Sequence, residues 1–210
     1  MLKVYDAKMT PLYYEDKKVV HQQGLWHKVV TGVVFNKTVK SLYFQTIYPK
    51  DSYTFDRPDY IDFSIGGHVE DDESVSNAIL RETKEEFGLV IDNPIFLGVR
   101  VCSCDPALTY HIREFQHFYG IETTQTLMDM NFLHSDKEVK SFIEVKIDDF
   151  LDILLHKKTS ISVNEMILDE QSRSGTYIEN TTLNADRIIP EYYIDKSILE
   201  MILAVKTLCE

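Results

Sequence analysis

Glu82, Glu85 and Glu86 fall at the i, i+3 and i+4 spacing that gathers side chains on one face of a helix. Like charges so placed destabilise a helix by about 0.2–0.5 kcal/mol per pair, so their company needs a reason. On a wheel of roughly 100° per residue, Val75, Ala78 and Ile79 share their sector, and the carboxylates continue an apolar, inward-facing stripe. Arg81 and Lys84, the nearest cations, fall on the far side of the wheel. A solvated acidic face would normally interleave lysines; this one has no such relief. An inward carboxylate without a counter-charge is very costly, and a divalent metal ion supplies one. Mg²⁺ takes hard oxygen ligands in an octahedron and keeps several waters, so a few carboxylates suffice, with Mn²⁺ as the alternative ion.

Flanking elements must hold this cluster in place. The helix is predicted over about Ser74 to Phe87, preceded by a strand from Tyr60 to Ile65 that ends at Gly66-Gly67, where the chain can pass tightly from strand to helix. Further strands are predicted at residues 1 to 20 (one or two, around Thr10-Pro11), Lys28 to Phe35, Ser41 to Ile47, Ile95 to Val101, Glu114 to Ile121 and Ser141 to Ile147. Asp148 or Asp149 is expected to cap a short helix through Leu155, and Asp195 to cap a final amphipathic helix carrying Ile198, Leu199, Ile202, Leu203 and Val205. Residues 157 to 192 alternate only in part. Pro49 to Pro58 reads as a polar loop. Strands mixed with a few helices point to an α/β fold, a mixed sheet between helices.

The 210 residues, 44% of them hydrophobic, can bury a substantial core. The formal net charge of −12 argues against binding nucleic acid or an anionic membrane, both of which need clustered Lys and Arg. No stretch has the apolar length of a membrane span or a signal pattern. Cys102, Cys104 and Cys209 fit no disulfide framework and read as reduced thiols, which with the absent signal suggests a cytoplasmic protein.

From Gly67 to Leu89 the chain reads G-x5-E-x7-R-E-U-x-E-E-x-G-U, with U aliphatic, met at Gly67, Glu73, Arg81, Glu82, Glu85, Glu86, Gly88 and Leu89. The one departure is Thr83 at the first U position. This resembles the Nudix box of the MutT-like hydrolases. The resemblance implies a Nudix-type α/β/α sandwich around a mixed β-sheet, and a metal-dependent hydrolase of a diphosphate joined to another moiety. It also implies one Nudix domain over residues 1–210, with an N-terminal strand extension (about 1–27) and a C-terminal extension (about 148–210). A weaker resemblance, carried by His21-x2-Gly24-Leu25-Trp26-His27, Gly66-Gly67-His68 and Asp136-Lys137-Glu138-Val139, is to the branch that includes isopentenyl-diphosphate isomerase. That enzyme has a cysteine just before the Gly-His of the box, whereas this chain has Ser64-Ile65-Gly66. Its box is also degenerate, and this one is intact.

The resemblance makes Gly67 (through its carbonyl), Glu82, Glu85 and Glu86 the metal ligands, with Mg²⁺ as the ion. It gives Glu85 a further water-orienting role and has Arg81 pair with Glu73 or orient a glutamate. For a general base outside the box, Glu138 is favoured, ahead of Glu122 and Glu114. His21, His27 and His68 match metal-site histidines of the isomerase, with the first pair one residue closer here. Where many relatives carry an arginine after the second strand, this chain reads Gln45-Thr46-Ile47, leaving Lys50, Arg57, Arg100 and Arg113 as phosphate-binding candidates. Trp26 suits either a stacking role or the core. The expected partner is a small diphosphate, with a homodimer suggested by the family alone. Two alternatives stay open: a nucleotide-sensing regulator without turnover, and an isomerase-like protein. Residues 148 to 210 carry six Lys/Arg against twelve Asp/Glu and offer no basic recognition helix, which disfavours a DNA-binding regulator.

Overall fold

A computed structural model of the chain describes residues 1–48, 60–132 and 138–210. A two-stranded sheet, β1 (Leu2–Tyr5) with β2 (Pro11–Glu15), leads into helix α1 (Lys17–Gln23). The main sheet then takes β3 (His27–Asn36), β4 (Ser41–Ile47), β5 (Asp62–Phe63), β6 (Ile65–His68), β7 (Ile95–Ala107), β8 (Tyr110–Glu122), β9 (Val139–Lys146), β10 (Ser160–Leu168) and β11 (Gly175–Asn184). Helices α2 (Val75–Phe87), α3 (Ile147–Leu154), α4 (Glu191–Ile194) and α5 (Lys196–Leu208) complete the fold. The sheet runs β11-β10-β9-β4-β3-β8-β7, with β3 and β8 parallel and the other described pairs antiparallel.

Apolar side chains cover both faces, which accounts for the nearly continuous hydrophobicity of β3 and β4. Val33, Phe35, Leu42 and Phe44 join α3 and α5 in one core; Val30, Val34 and Tyr43 join α2 in the other. The result is the expected α/β/α sandwich around a mixed sheet.

Strands β3 and β4 pair only at their hairpin end, Val34–Asn36 against Ser41–Tyr43. Beyond it they splay apart: β3 takes β6 as its partner over Val29–Gly32, and β4 takes β5 at Phe44 and Gln45. The predicted strand Tyr60–Ile65 is therefore two short strands facing different neighbours.

Two expectations are corrected at the N-terminal side of α1 and α3. Residues 17–23 are helical, with Asp16 accepting from the Lys18 amide at 2.9 Å and Gly24 closing the helix at φ 62°. The expected strands of residues 1 to 20 end at Glu15, and the two caps set the helix that follows. Helix α3 begins after Lys146, with no side-chain cap, and Asp148 and Asp149 lie inside its first turn, where their charge still suits the helix dipole. Asp195 caps α5 as expected, accepting from the Ser197 amide. Residues 160–184, irregular in sequence, form a hairpin whose β10 continues the main sheet through β9. Its inward side chains, Ile161, Val163 and Met166, share the cores of the earlier strands.

Candidate metal-dependent active site

Helix α2 starts at Ser74, whose hydroxyl accepts from the Asn77 amide, and ends at Gly88, left-handed at φ 72°. A side chain at Gly88 would also meet the Asn131 carbonyl oxygen at 2.7 Å, so two constraints select glycine there. Ala78, Ile79, Thr83 and Phe87 form the buried face. Thr83 is fully buried at the aliphatic position, and its hydroxyl donates to the Ile79 carbonyl at 2.6 Å, so the departure from the box pattern is satisfied within the helix.

This face presses Glu82 against the strand-to-helix passage. A Cβ at Gly67 would lie 1.9 Å from Glu82 Oε1 and 2.0 Å from its Cδ. One turn on, Glu86 Oε2 accepts from the Gly66 amide at 2.8 Å. Both carboxylates line a cavity of about 450 Å³, together with Gly66, Gly67, His68, Glu70 and Glu138. Burial raises the Glu82 carboxyl to about 7 despite the adjacent Arg81. A crowded, partly desolvated pair of carboxylates beside backbone that admits no side chain suits a small hard cation.

Arg81 is not on the far side of the cluster. Its Nη1 donates to Glu82 Oε1 at 2.7 Å and to Glu85 Oε2 at 3.1 Å. Its Nε and Nη2 hold the two oxygens of Glu73 at 3.1 and 3.0 Å, and Nη2 also donates to the His68 carbonyl at 3.0 Å. A wheel places Cα directions only; the long arginine side chain curls back over the turn. The carboxylates therefore do have cationic relief. Glu85 sits apart from Glu82 and Glu86: half exposed, paired with Arg81 and outside the cavity lining.

The three histidines converge. His21 from α1, His27 from β3 and His68 from β6 bring one ring nitrogen each to within 4.8 Å of one another, and His21 Nε2 lies 3.0 Å from His68 Nε2. Burial, then His27, pushes His21 down to about 4, so its ring is neutral and able to ligate. His27 Nδ1 is 2.9 Å from the Leu25 carbonyl, while its buried Nε2 has no hydrogen-bond partner and stands 3.7 Å from Glu114 Oε1. Glu114 faces His27 in the parallel β3–β8 register. Burial would raise its carboxyl, but the adjacent His27 ring and a hydrogen bond from Gln116 outweigh that and hold it below the usual range. Both His27 and Glu114 are buried. The three imidazoles, with the Glu114 carboxylate beside His27, suit a first-row divalent ion such as Mn²⁺ or Zn²⁺.

From Glu114 a polar chain runs to the C-terminal helix. Gln116 Nε2 donates to Glu114 at 2.8 Å, Arg100 Nη1 donates to Gln116 Oε1 at 2.8 Å, and Arg100 Nε pairs with Asp195. Arg100 lines the cavity but is committed to these partners, and Arg113 binds Asp105 with the carbonyls of Cys104 and Ile112. Lys50 and Arg57 lie outside the described residues, as does the loop at 49–58. Lys17, which sequence reasoning passed over, lines the cavity. Glu122 pairs with Lys37 at 2.8 Å on the surface. Trp26 stacks on Phe115 at 4.9 Å and serves packing. Cys102 and Cys104 also line the cavity; a hydrogen bond with Cys104, then burial, pushes the Cys102 thiol well above its usual value.

A mixed sheet clasped between helices, with half-buried carboxylates at the end of a strand-to-helix passage, is an α/β/α sandwich carrying a candidate metal site. The family model described as "NUDIX domain" matches residues 25–165, and the chain belongs to the Nudix family, hydrolases of pyrophosphate bonds that generally use divalent metal ions. A solved structure of a Deinococcus radiodurans protein is 18% identical, with a TM-score of 0.50, and the match covers 75% of this chain and 90% of that one. Two MutT structures are also similar. One, from a study of the Aliivibrio salmonicida and Vibrio cholerae proteins, is 18% identical (TM-score 0.39; 60% and 82% covered). The other, from Methanosarcina mazei, is 15% identical (TM-score 0.44; 60% and 80% covered). Comparison with curated proteins gave no match. Among the described residues no helix is long and apolar enough to cross a membrane.

Proposed function

We propose that the protein hydrolyses a diphosphate linkage in a small organic diphosphate, using Mg²⁺ held by Glu82 and Glu86 beside the Gly67 backbone. The observation that carries this reading is the packing of the Glu82 carboxylate into the space a side chain at Gly67 would fill, next to Glu86 at one end of the cavity. When bound, the metal would neutralise the diphosphate and lower the pKa of an attacking water.

The chain supplies the remaining parts. Arg81, tied to Glu73 and the His68 carbonyl, holds Glu82 in one orientation. Glu85 supports Arg81 from the exposed side, and this placement favours an orienting role over direct ligation. Glu138 reaches the cavity from the start of β9 and is our choice for the base that takes a proton from water. Lys17 offers a charge for the diphosphate at the histidine end. The cluster of His21, His27, His68 and Glu114 would hold a second, softer ion there.

The isomerase reading draws no support beside the box, where position 66 is glycine and not cysteine. Release of phosphate from a panel of diphosphates, with Mg²⁺ and with chelator, tests the proposal, with Glu86→Gln as the inactive control. Tight nucleotide binding without turnover of any compound would instead establish the regulator reading.

A further inference from the structure

Gln45 stands on β4 where β3 and β4 have splayed apart, opposite Asp62 of β5 and Phe142 of β9. It is 6% exposed, and its Oε1 is buried with no hydrogen-bond partner among the described residues. Neighbouring polar side chains on the strand are satisfied: Thr46 bonds the Ser141 hydroxyl at 2.7 Å and Tyr43 donates to the Gln125 carbonyl at 2.9 Å. A buried acceptor left unmade costs about 1–3 kcal/mol, and an isolated one in a folded protein calls for an explanation. Gln45 lines the same cavity as Glu82 and Glu86. Beside it on the lining is Asp62, whose carboxylate accepts from the Tyr192 hydroxyl and the Phe63 amide. Two acceptors thus stand side by side on this wall.

We infer that Gln45 is a specificity-determining residue whose amide accepts a hydrogen bond from an N–H or O–H on the non-phosphate moiety of the substrate. The inference rests on the diphosphate reading above and deepens it: the preferred substrates are organic diphosphates bearing a donor there, a base or a sugar, and not alkyl diphosphates. An alkyl chain would leave the Gln45 carbonyl unpaired, the circumstance in which polar sites discriminate most strongly. An arginine here would answer phosphate; a glutamine answers a neutral polar group.

Calorimetric binding of methylene-bridged, non-hydrolysable diphosphate analogues, in the presence of Mg²⁺, tests this on the full chain. One arm carries a nucleoside, one a sugar and one an alkyl chain. The wild type should bind the nucleoside or the sugar analogue at least tenfold more tightly than the alkyl analogue, and the better arm identifies the source of the donor. Gln45→Met should lose about tenfold on that arm and nothing on the alkyl arm. Equal wild-type affinity for all three overturns the inference, as does an equal loss, or none, across the arms in Gln45→Met. Should that variant not fold, the wild-type ranking alone decides. Failure of the hydrolase reading would look different: donor-selective binding would persist while no cleavable diphosphate released phosphate.

Discussion

Glu82 occupies the space that a side chain at Gly67 would need, its Oε1 lying 1.9 Å from where a Cβ would stand. The close approach ties the strand that ends at His68 to the helix that carries the carboxylates. Gly67→Ala should therefore displace Glu82 while leaving the α2 core intact. We expect kcat to fall about 100-fold, as for ångström-scale misplacement of a catalytic group, with a stability loss of about 1–3 kcal/mol. Steady-state kinetics beside a urea titration would separate the two effects, and full activity in a folded Gly67→Ala protein would remove the crowding argument.

Metal binding at Glu82 and Glu86 should be visible without turnover. At a hundredfold excess over Kd, Mg²⁺ should stabilise the wild type by about 2.7 kcal/mol and raise its Tm accordingly. Glu82→Gln and Glu86→Gln should fold and show little of that rise. A Mg²⁺-dependent shift retained in both would place the ion elsewhere.

The three-way grip of Arg81 on Glu73, Glu82 and Glu85 predicts that lysine will not replace it. Lysine lacks the planar fork that holds both oxygens of Glu73 while reaching Glu82. Arg81→Lys should cost about 1–3 kcal/mol, discounted for partial exposure, and should reduce kcat more than it raises KM. A variant with wild-type denaturation and kinetics would show that Arg81 only decorates the helix.

The histidine cluster should retain a metal independently of the box. Elemental analysis of protein loaded with Mn²⁺ and dialysed should find the ion in the wild type and in Glu86→Gln. It should be missing from His27→Ala, which removes the ring facing Glu114. Equal metal content in His27→Ala would rule the site out.

Asp195 gives a pH signature. Burial would raise its carboxyl, but hydrogen bonds from Ser197 and Arg100 outweigh that and hold it below the usual range. Because the folded value is the lower one, its contribution is fully present above the unfolded carboxylate pKa of about 4 and fades as pH falls through the folded value. Asn caps a helix as well as Asp does, so Asp195→Asn isolates the pair with Arg100. The wild type should exceed it by about 1–2 kcal/mol near neutrality, and the gap should close in acid. A gap that held constant between pH 7 and 3 would remove this carboxylate from the account.

Local patterns carried much of the fold. Period-two alternation and β-branched runs marked β3, β4, β8 and β9, because side-chain direction in a strand is set by the backbone itself. Asp195 announced the start of α5 for a similar reason: a cap is a bond between near neighbours. Helix α1, capped by Asp16 and Gly24, begins inside a stretch expected to be strand, and the β10–β11 hairpin gained its sheet position only by pairing with β9.

By itself, the sequence determined that Glu82 and Glu86 share an inward helix face after Gly67, since 3.6-residue periodicity fixes which side chains are neighbours. It could not say that Arg81 curls back onto those carboxylates, because the path of a long side chain depends on what packs around it. Nor could it bring together His21, His27, His68 and Glu114, which come from four separate elements. Only the tertiary structure sets Gln45 in the gap between β3 and β4, because that gap is made by the divergence of two strands and belongs to neither.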